Sequence, residues 1–152
     1  EDGPMTTDVL ILVGVDGSDG GRRALRFALA EAVIRGCAVE AVRTVHAEDE
    51  TELADHELWT DVESVRREVP GAPAVARTVL AGDPAEVLID RSAGATLLVV
   101  GSHGTSSMIH SALGSVSNAV AQLARCPVVV LPRSVNPGGG SRLDGTSATR
   151  TR

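Results

Sequence analysis

The chain has almost no aromatic side chains: Phe27 and Trp59 are the only two among 152 residues, and tyrosine is absent. Its core must be aliphatic, and stacking of bases on an aromatic platform is excluded as a binding mode. Lysine is absent as well, so all 14 basic residues are arginine. This removes a phosphate-loop lysine, Schiff-base chemistry and a lysine nucleophile together. Positive charge is scarce overall: the formal net charge is −6, whereas a nucleic-acid surface requires a basic face. The two cysteines, Cys37 and Cys126, have neither metal-ligand spacing nor a disulfide framework. They read as reduced, buried residues of a cytosolic protein. No apolar run reaches the ~18 residues of a membrane span, so a cytoplasmic protein without membrane or nucleic-acid partners is expected.

What is present is a regular alternation. Hydrophobic residues make up 43 % of the sequence, enough for one domain with a real core. Asp8 to Val15 is nearly all apolar, as a strand buried on both faces should be. After the turn Asp16-Gly17-Ser18-Asp19, the run Gly21 to Arg35 places Ala24, Leu25, Ala28, Leu29, Ala32 and Val33 at helical spacing, with Gly36 as the stop. Cys37 to Val45 is a second strand, less apolar and nearer an edge. An acidic loop, His46 to Glu52, leads to an amphipathic helix over Leu53 to Val69, with Leu53, Leu58, Val62, Val65 and Val69 inward.

Ala74 to Leu80 reads as a third strand, and Asp83-Pro84 opens a helix that runs to about Ser92. Thr96 to Val100 is a fourth strand, Gly114 to Arg125 a fourth helix and Val128 to Leu131 a fifth strand. The class is therefore α/β with a parallel sheet. Residues 8–133 form the domain. Residues 1–7 and 134–152 are expected to be disordered, with Glu1 to Pro4 preceding a natural start at Met5.

Two strand exits stand apart: Gly14-Val15-Asp16-Gly17 and Gly101-Ser102-His103-Gly104. Ligands of doubly wound sheets bind beyond the carboxyl ends of strands where the winding reverses. If these two strands are neighbours, both turns meet in one crevice. Gly101 and Gly104 permit positive φ and close approach of the backbone to a ligand. Gly114 and Ser115 begin a helix whose unpaired N–H groups and dipole favour an anion. His103 adds a donor, and Thr105 to Leu113 is a flexible cover. Equally, the glycines could only shape a long loop. Asp16 suits ribose hydroxyls, an adenine amine or a divalent cation near phosphates, or else it is a helix-cap or turn aspartate. His46, His56 and His110 are scattered surface or turn residues, and Trp59 is core or interface packing. A serine-hydrolase elbow and a dinucleotide fingerprint are both missing.

The spacing G-x2-G-x9-G-[ST], here Gly101, Gly104, Gly114 and Ser115, resembles the nucleotide-binding signature of the universal stress protein family. The resemblance extends to the opening ILVGVDGS, to GDPAEVLID, to LLVVGSHG and to the closing LGSVSNAVAQLARCPVVVLP. It covers about Asp8 to Arg133. It implies a single-domain, doubly wound, Rossmann-like five-stranded parallel sheet of order 3-2-1-4-5 with about four helices. It also implies bound ATP, accompanied by Mg²⁺. Gly14, Val15 and Asp16 are then expected to flank adenosine and ribose, and Thr44 to touch adenine through its backbone. Gly101, His103, Gly104, Gly114, Ser115 and Val116 are expected to hold the phosphates. A homodimer through the Val128–Leu131 edge strand follows from the same resemblance. The implied role is a nucleotide-dependent regulatory or stress-response module. The alternatives are a slow ATPase or nucleotidyl transferase helped by His103 and Asp16, and a nucleotide-free dimeric scaffold.

Overall fold

The uniform apolarity of the first strand has a simple cause: it lies at the centre of the sheet with helices on both faces. The computed structural model describes residues 9–103 and 113–133. Within them run β1 (Leu10–Gly14), α1 (Asp19–Arg35), β2 (Ala38–Val45), α2 (Thr51–Glu68), β3 (Val75–Ala81), α3 (Pro84–Ser92), β4 (Leu97–Gly101), α4 (Ser115–Leu123) and β5 (Val128–Leu131). All pairings are parallel, in the order β3-β2-β1-β4-β5. The sheet is thus the doubly wound arrangement expected, with β1 and β4 side by side and Val13 opposite Val99.

Period-two alternation splits the core in two. Ile11, Val13 and Val99 face α1 and α2, where Leu25, Leu29, Leu58 and Val62 complete one cluster. Leu12, Leu98, Val100 and Val42 face the other way, onto Leu88 of α3 and Val120 of α4. The winding therefore reverses between β1 and β4.

Several details differ from the pattern. α1 begins two residues earlier than the apolar spacing indicates, because Ser18 caps it by accepting from the Gly21 N–H. Val33 is outward. In α2 the inward residue of the first turn is Ala54, and Leu53 is 66 % exposed. Ala54 stands four residues before Leu58 and shares its face, whereas Leu53, five residues before Leu58, lies about 140° around the helix. α4 stops at Leu123 rather than Arg125. Trp59 is not in the core: it is partly exposed and stacks on His56, one turn away. Both cysteines are half-buried rather than buried, and partial burial pushes the Cys126 thiol up, away from the reactive thiolate. The expectations for residues 1–8, 104–112 and 134–152, Gly104 among them, lie outside the described residues. Among the described residues no helix is long and apolar enough to cross a membrane.

Candidate functional site

Parallel strands aim their carboxyl ends in one direction, so the exits of β1, β2 and β4 open at the same edge of the sheet. A cleft of about 400 Å³ lies there, within the range of small-molecule sites. Gly14, Val15 and Asp16 line it from the β1 exit, Thr44 from the end of β2, and Gly101 and His103 from the β4 exit. Gly114, Ser115 and Val116 line it from the start of α4. Every expected site residue within the described segments is therefore brought to one hollow.

The start of α4 is held there by the β4 exit. The Ser102 carbonyl accepts from the Gly114 N–H at 2.6 Å and from the Ser117 hydroxyl at 2.7 Å. These two bonds tie the first turn of α4 to the β4 exit. The first N–H groups of a helix have no intrahelical acceptor, and at α4 they receive no side-chain cap. α1 and α3 are capped by Ser18 and Asp83. α4 also has no acidic residue in its first turn, where α1, α2 and α3 have Asp19, Glu52 and Glu86. Among the described residues, no cap and no acidic side chain of its own first turn meets its positive pole.

Gly101, Gly114 and Gly14 also permit close packing within the fold. Gly101 is not among the residues with positive φ. A Cβ on it would stand 2.9 Å from the carbonyl carbon and oxygen of Gly20, so the glycine lets α1 approach β4. Gly20 is the reciprocal contact, where a Cβ would meet the His103 carbonyl oxygen at 2.8 Å. At Gly114, with φ −70°, a Cβ would press on the Ser102 carbonyl oxygen at 3.1 Å. Gly14 keeps the floor open, because a Cβ there would reach Leu88 Cδ1 at 3.0 Å.

Asp16 takes the turn role weighed for it while still facing the cleft. It accepts from the Ser18 N–H at 3.0 Å and from the Ser18 hydroxyl, which in turn accepts from the Gly21 N–H. The carboxylate thereby orients the helix cap. Gly17, at φ +85°, makes the bend, and two arginines secure it to α2. Arg22 donates to the Gly17 carbonyl at 3.1 Å and reaches Asp61. The Asp19 hydrogen bond, outweighing the cost of burial, and the nearby Asp61 carboxylate raise its already high pKa. Arg43 pairs with Glu57 at 2.6 Å beneath the same turn.

Sequence reasoning missed the wall opposite. Val42, Leu88 and Val100 give the cleft an aliphatic side, with Arg43 and His46 at its rim. The register places Val42 and Val100 on the α3 face, so the alternation contained the signal once β1 was known to lie between them. Leu88 could be found only from three dimensions. His46, read as a scattered surface residue, is exposed and also lines the cleft.

A model of the universal stress protein family matches residues 10–132. The universal stress protein Rv2005c of Mycobacterium tuberculosis is 38 % identical over 139 residues, covering 82 % of this protein. The present sequence spans 45 % of that relative's length. Among solved structures, a universal stress protein in complex with cAMP superimposes with a TM-score of 0.68 at 25 % identity, over 82 % of this protein and 96 % of its own length. The universal stress protein from Archaeoglobus fulgidus in complex with dAMP gives 0.63 at 27 %, over 80 % and 96 %.

Proposed function

Because the protein belongs to the universal stress protein family, we propose that its cleft binds an adenine nucleotide, ATP foremost, with the phosphates at the open start of α4. The observation that carries this reading is the uncapped, acid-free first turn of α4 at the edge of a 400 Å³ hollow formed by two adjoining strand exits. Backbone N–H groups of Ser115 and Val116, with the Ser115 hydroxyl, are donors of the kind that phosphate oxygens take. The adenosine end then falls between the β1 and β2 exits. There Val42, Leu88 and Val100 offer an aliphatic surface, and the Thr44 backbone offers the polar edge. The adenine nucleotides held by two structural neighbours support this choice of ligand.

Among the described residues no group of three or more His, Cys, Asp or Glu side chains is placed to hold a metal ion by itself. Should Mg²⁺ accompany the nucleotide, Asp16, the acidic residue lining the cleft among the described residues, would help to hold it near the phosphates. When bound, it would neutralise phosphate charge. The signal is occupancy of the cleft, read by a partner or by a second copy of the protein joined through β5. A nucleotide at 100 times its Kd should stabilise the fold by about 2.7 kcal/mol. Thermal denaturation with ATP and Mg²⁺ tests the reading, and an unchanged midpoint at millimolar ATP would refute it.

A further inference from the structure

We propose that Glu57 and Asp61 of α2 are positioning residues for the cleft: through Arg43 and Arg22 they hold the turn at Gly17 in the shape a nucleotide meets. The proposal rests on the nucleotide reading above. A glycine turn is costly to keep in one shape, because glycine loses more backbone freedom on ordering than any other residue. Gly17 adopts φ +85°, and its neighbours Asp16 and Ser18 both line the cleft. The order of the sheet says which part of the ligand they meet, since β1 lies between β2 and β4. With the base at the β2 exit and the phosphates at the start of α4, the sugar comes to the β1 exit and its turn.

Two arginines grip Gly17 from different elements. Arg22 of α1 donates to its carbonyl at 3.1 Å. Arg43 of β2 covers its α-carbon: a Cβ on Gly17 would stand 3.5, 3.7 and 3.8 Å from Nη1, Nη2 and Cζ, so the guanidinium turns its flat face there. Each arginine is anchored on α2, Arg43 by Glu57 at 2.6 Å and Arg22 by Asp61 at 3.5 Å. Glu57 and Asp61 are one turn apart on the same side of the helix. Each pair has one partner largely shielded from water, Arg43 at 19 % and Asp61 at 17 % side-chain exposure, which places it above a fully solvated bridge. No residue of α2 lines the cleft, so the helix acts on it only through the turn. A turn already set in its bound shape spares the ligand the cost of ordering it. A third pair, Arg26 with Glu68 at 2.6 Å, also joins α1 to α2 but lies about two helical turns beyond Asp61, and it supplies the control.

The test is calorimetric titration of ATP into the full chain and its Glu57→Gln, Asp61→Asn, doubly substituted and Glu68→Gln variants. Hydrogen exchange of residues 14–22 is measured on each, without and with ATP. Unfolding curves establish that each variant is folded, and the single variants carry the test if the double one is not. Glu57→Gln and Asp61→Asn should each weaken ATP binding about fivefold, the worth of one such pair, and the double variant about twentyfold. In these variants the ligand-free turn should exchange faster than in the wild type, and saturating ATP should restore the wild-type protection. Glu68→Gln should change neither affinity nor exchange at the turn. Wild-type affinity in the folded variants, or a Glu68→Gln protein weakened as much as Glu57→Gln, overturns the proposal. A wild type that binds no ATP removes the nucleotide reading instead. The exchange of the ligand-free turn then still decides the bracing role, which is overturned if Glu57→Gln and Asp61→Asn leave it unchanged.

Discussion

At the scale of single residues, the most instructive positions are glycines whose value lies in what they leave out. Gly101 looks like a loop glycine in a nucleotide signature, yet it is the point where the backbone of α1 rests on β4. A methyl group there must displace backbone rather than a flexible side group. Gly101→Ala is therefore expected to lower stability by about 2 kcal/mol, as overpacking does, read as a fall in the urea midpoint with an unchanged slope. A variant as stable as the wild type would show that α1 and β4 can part at no cost. The motif revealed that small residues are needed at positions 101 and 114, because a pattern of glycines is visible without a fold. It could not reveal which neighbour demands them, because Gly20 lies 81 positions away in sequence (101 − 20). The same limit hid Arg22 and Arg43, whose partners Asp61 and Glu57 are on another helix.

At the scale of elements, strand and helix types were legible wherever periodicity was long and the punctuation clear. The Asp83-Pro84 start and the Gly36 stop are capping chemistry written directly into the sequence. Phase errors arose at ends. Leu53 is apolar but five residues from Leu58, about 140° around the helix, so the smaller Ala54, four residues from Leu58, faces the core instead. β5 illustrates what an element can do that its residues do not announce. The Pro127 and Leu131 carbonyls accept from Leu98 and Ser102, so the alternate residues Val128 and Val130 turn their backbone groups away from β4. Those outward groups form an unpaired edge, among the described residues, suited to a second copy of the protein. Val130→Pro removes an outward donor together with some of the packing that Val130 makes on the Leu12–Leu98 side of the core, and proline is tolerated on an edge strand. The wild type is expected to sediment as a dimer and this variant as a folded monomer in analytical ultracentrifugation, with a modestly lower thermal midpoint. A Val130→Pro protein that still sediments as a dimer would rule out pairing through β5.

At the scale of the whole molecule, the sheet brings three distant exits and one helix start to a single edge, and the reversal of winding between β1 and β4 leaves a hollow there. Composition and alternation singled out the two unusual strand exits, but that β1 and β4 adjoin, which makes them one crevice, came from the family resemblance. The aliphatic wall from Val42, Leu88 and Val100 was not foreseen, since it depends on how α3 is set against the sheet. The claim that matters most is that backbone N–H groups at the start of α4 bind the phosphates. Ser115 occupies the first helical position, where proline fits the helix geometry and the missing N–H had no intrahelical partner. The direct measurement is calorimetric titration of ATP into Ser115→Pro and Ser115→Ala beside the wild type, with unfolding curves for all three. Ser115→Pro should remain as stable as the wild type within about 1 kcal/mol and bind ATP at least about tenfold more weakly. Ser115→Ala should fall between the two. A stable Ser115→Pro protein that binds ATP as tightly as the wild type would contradict the account.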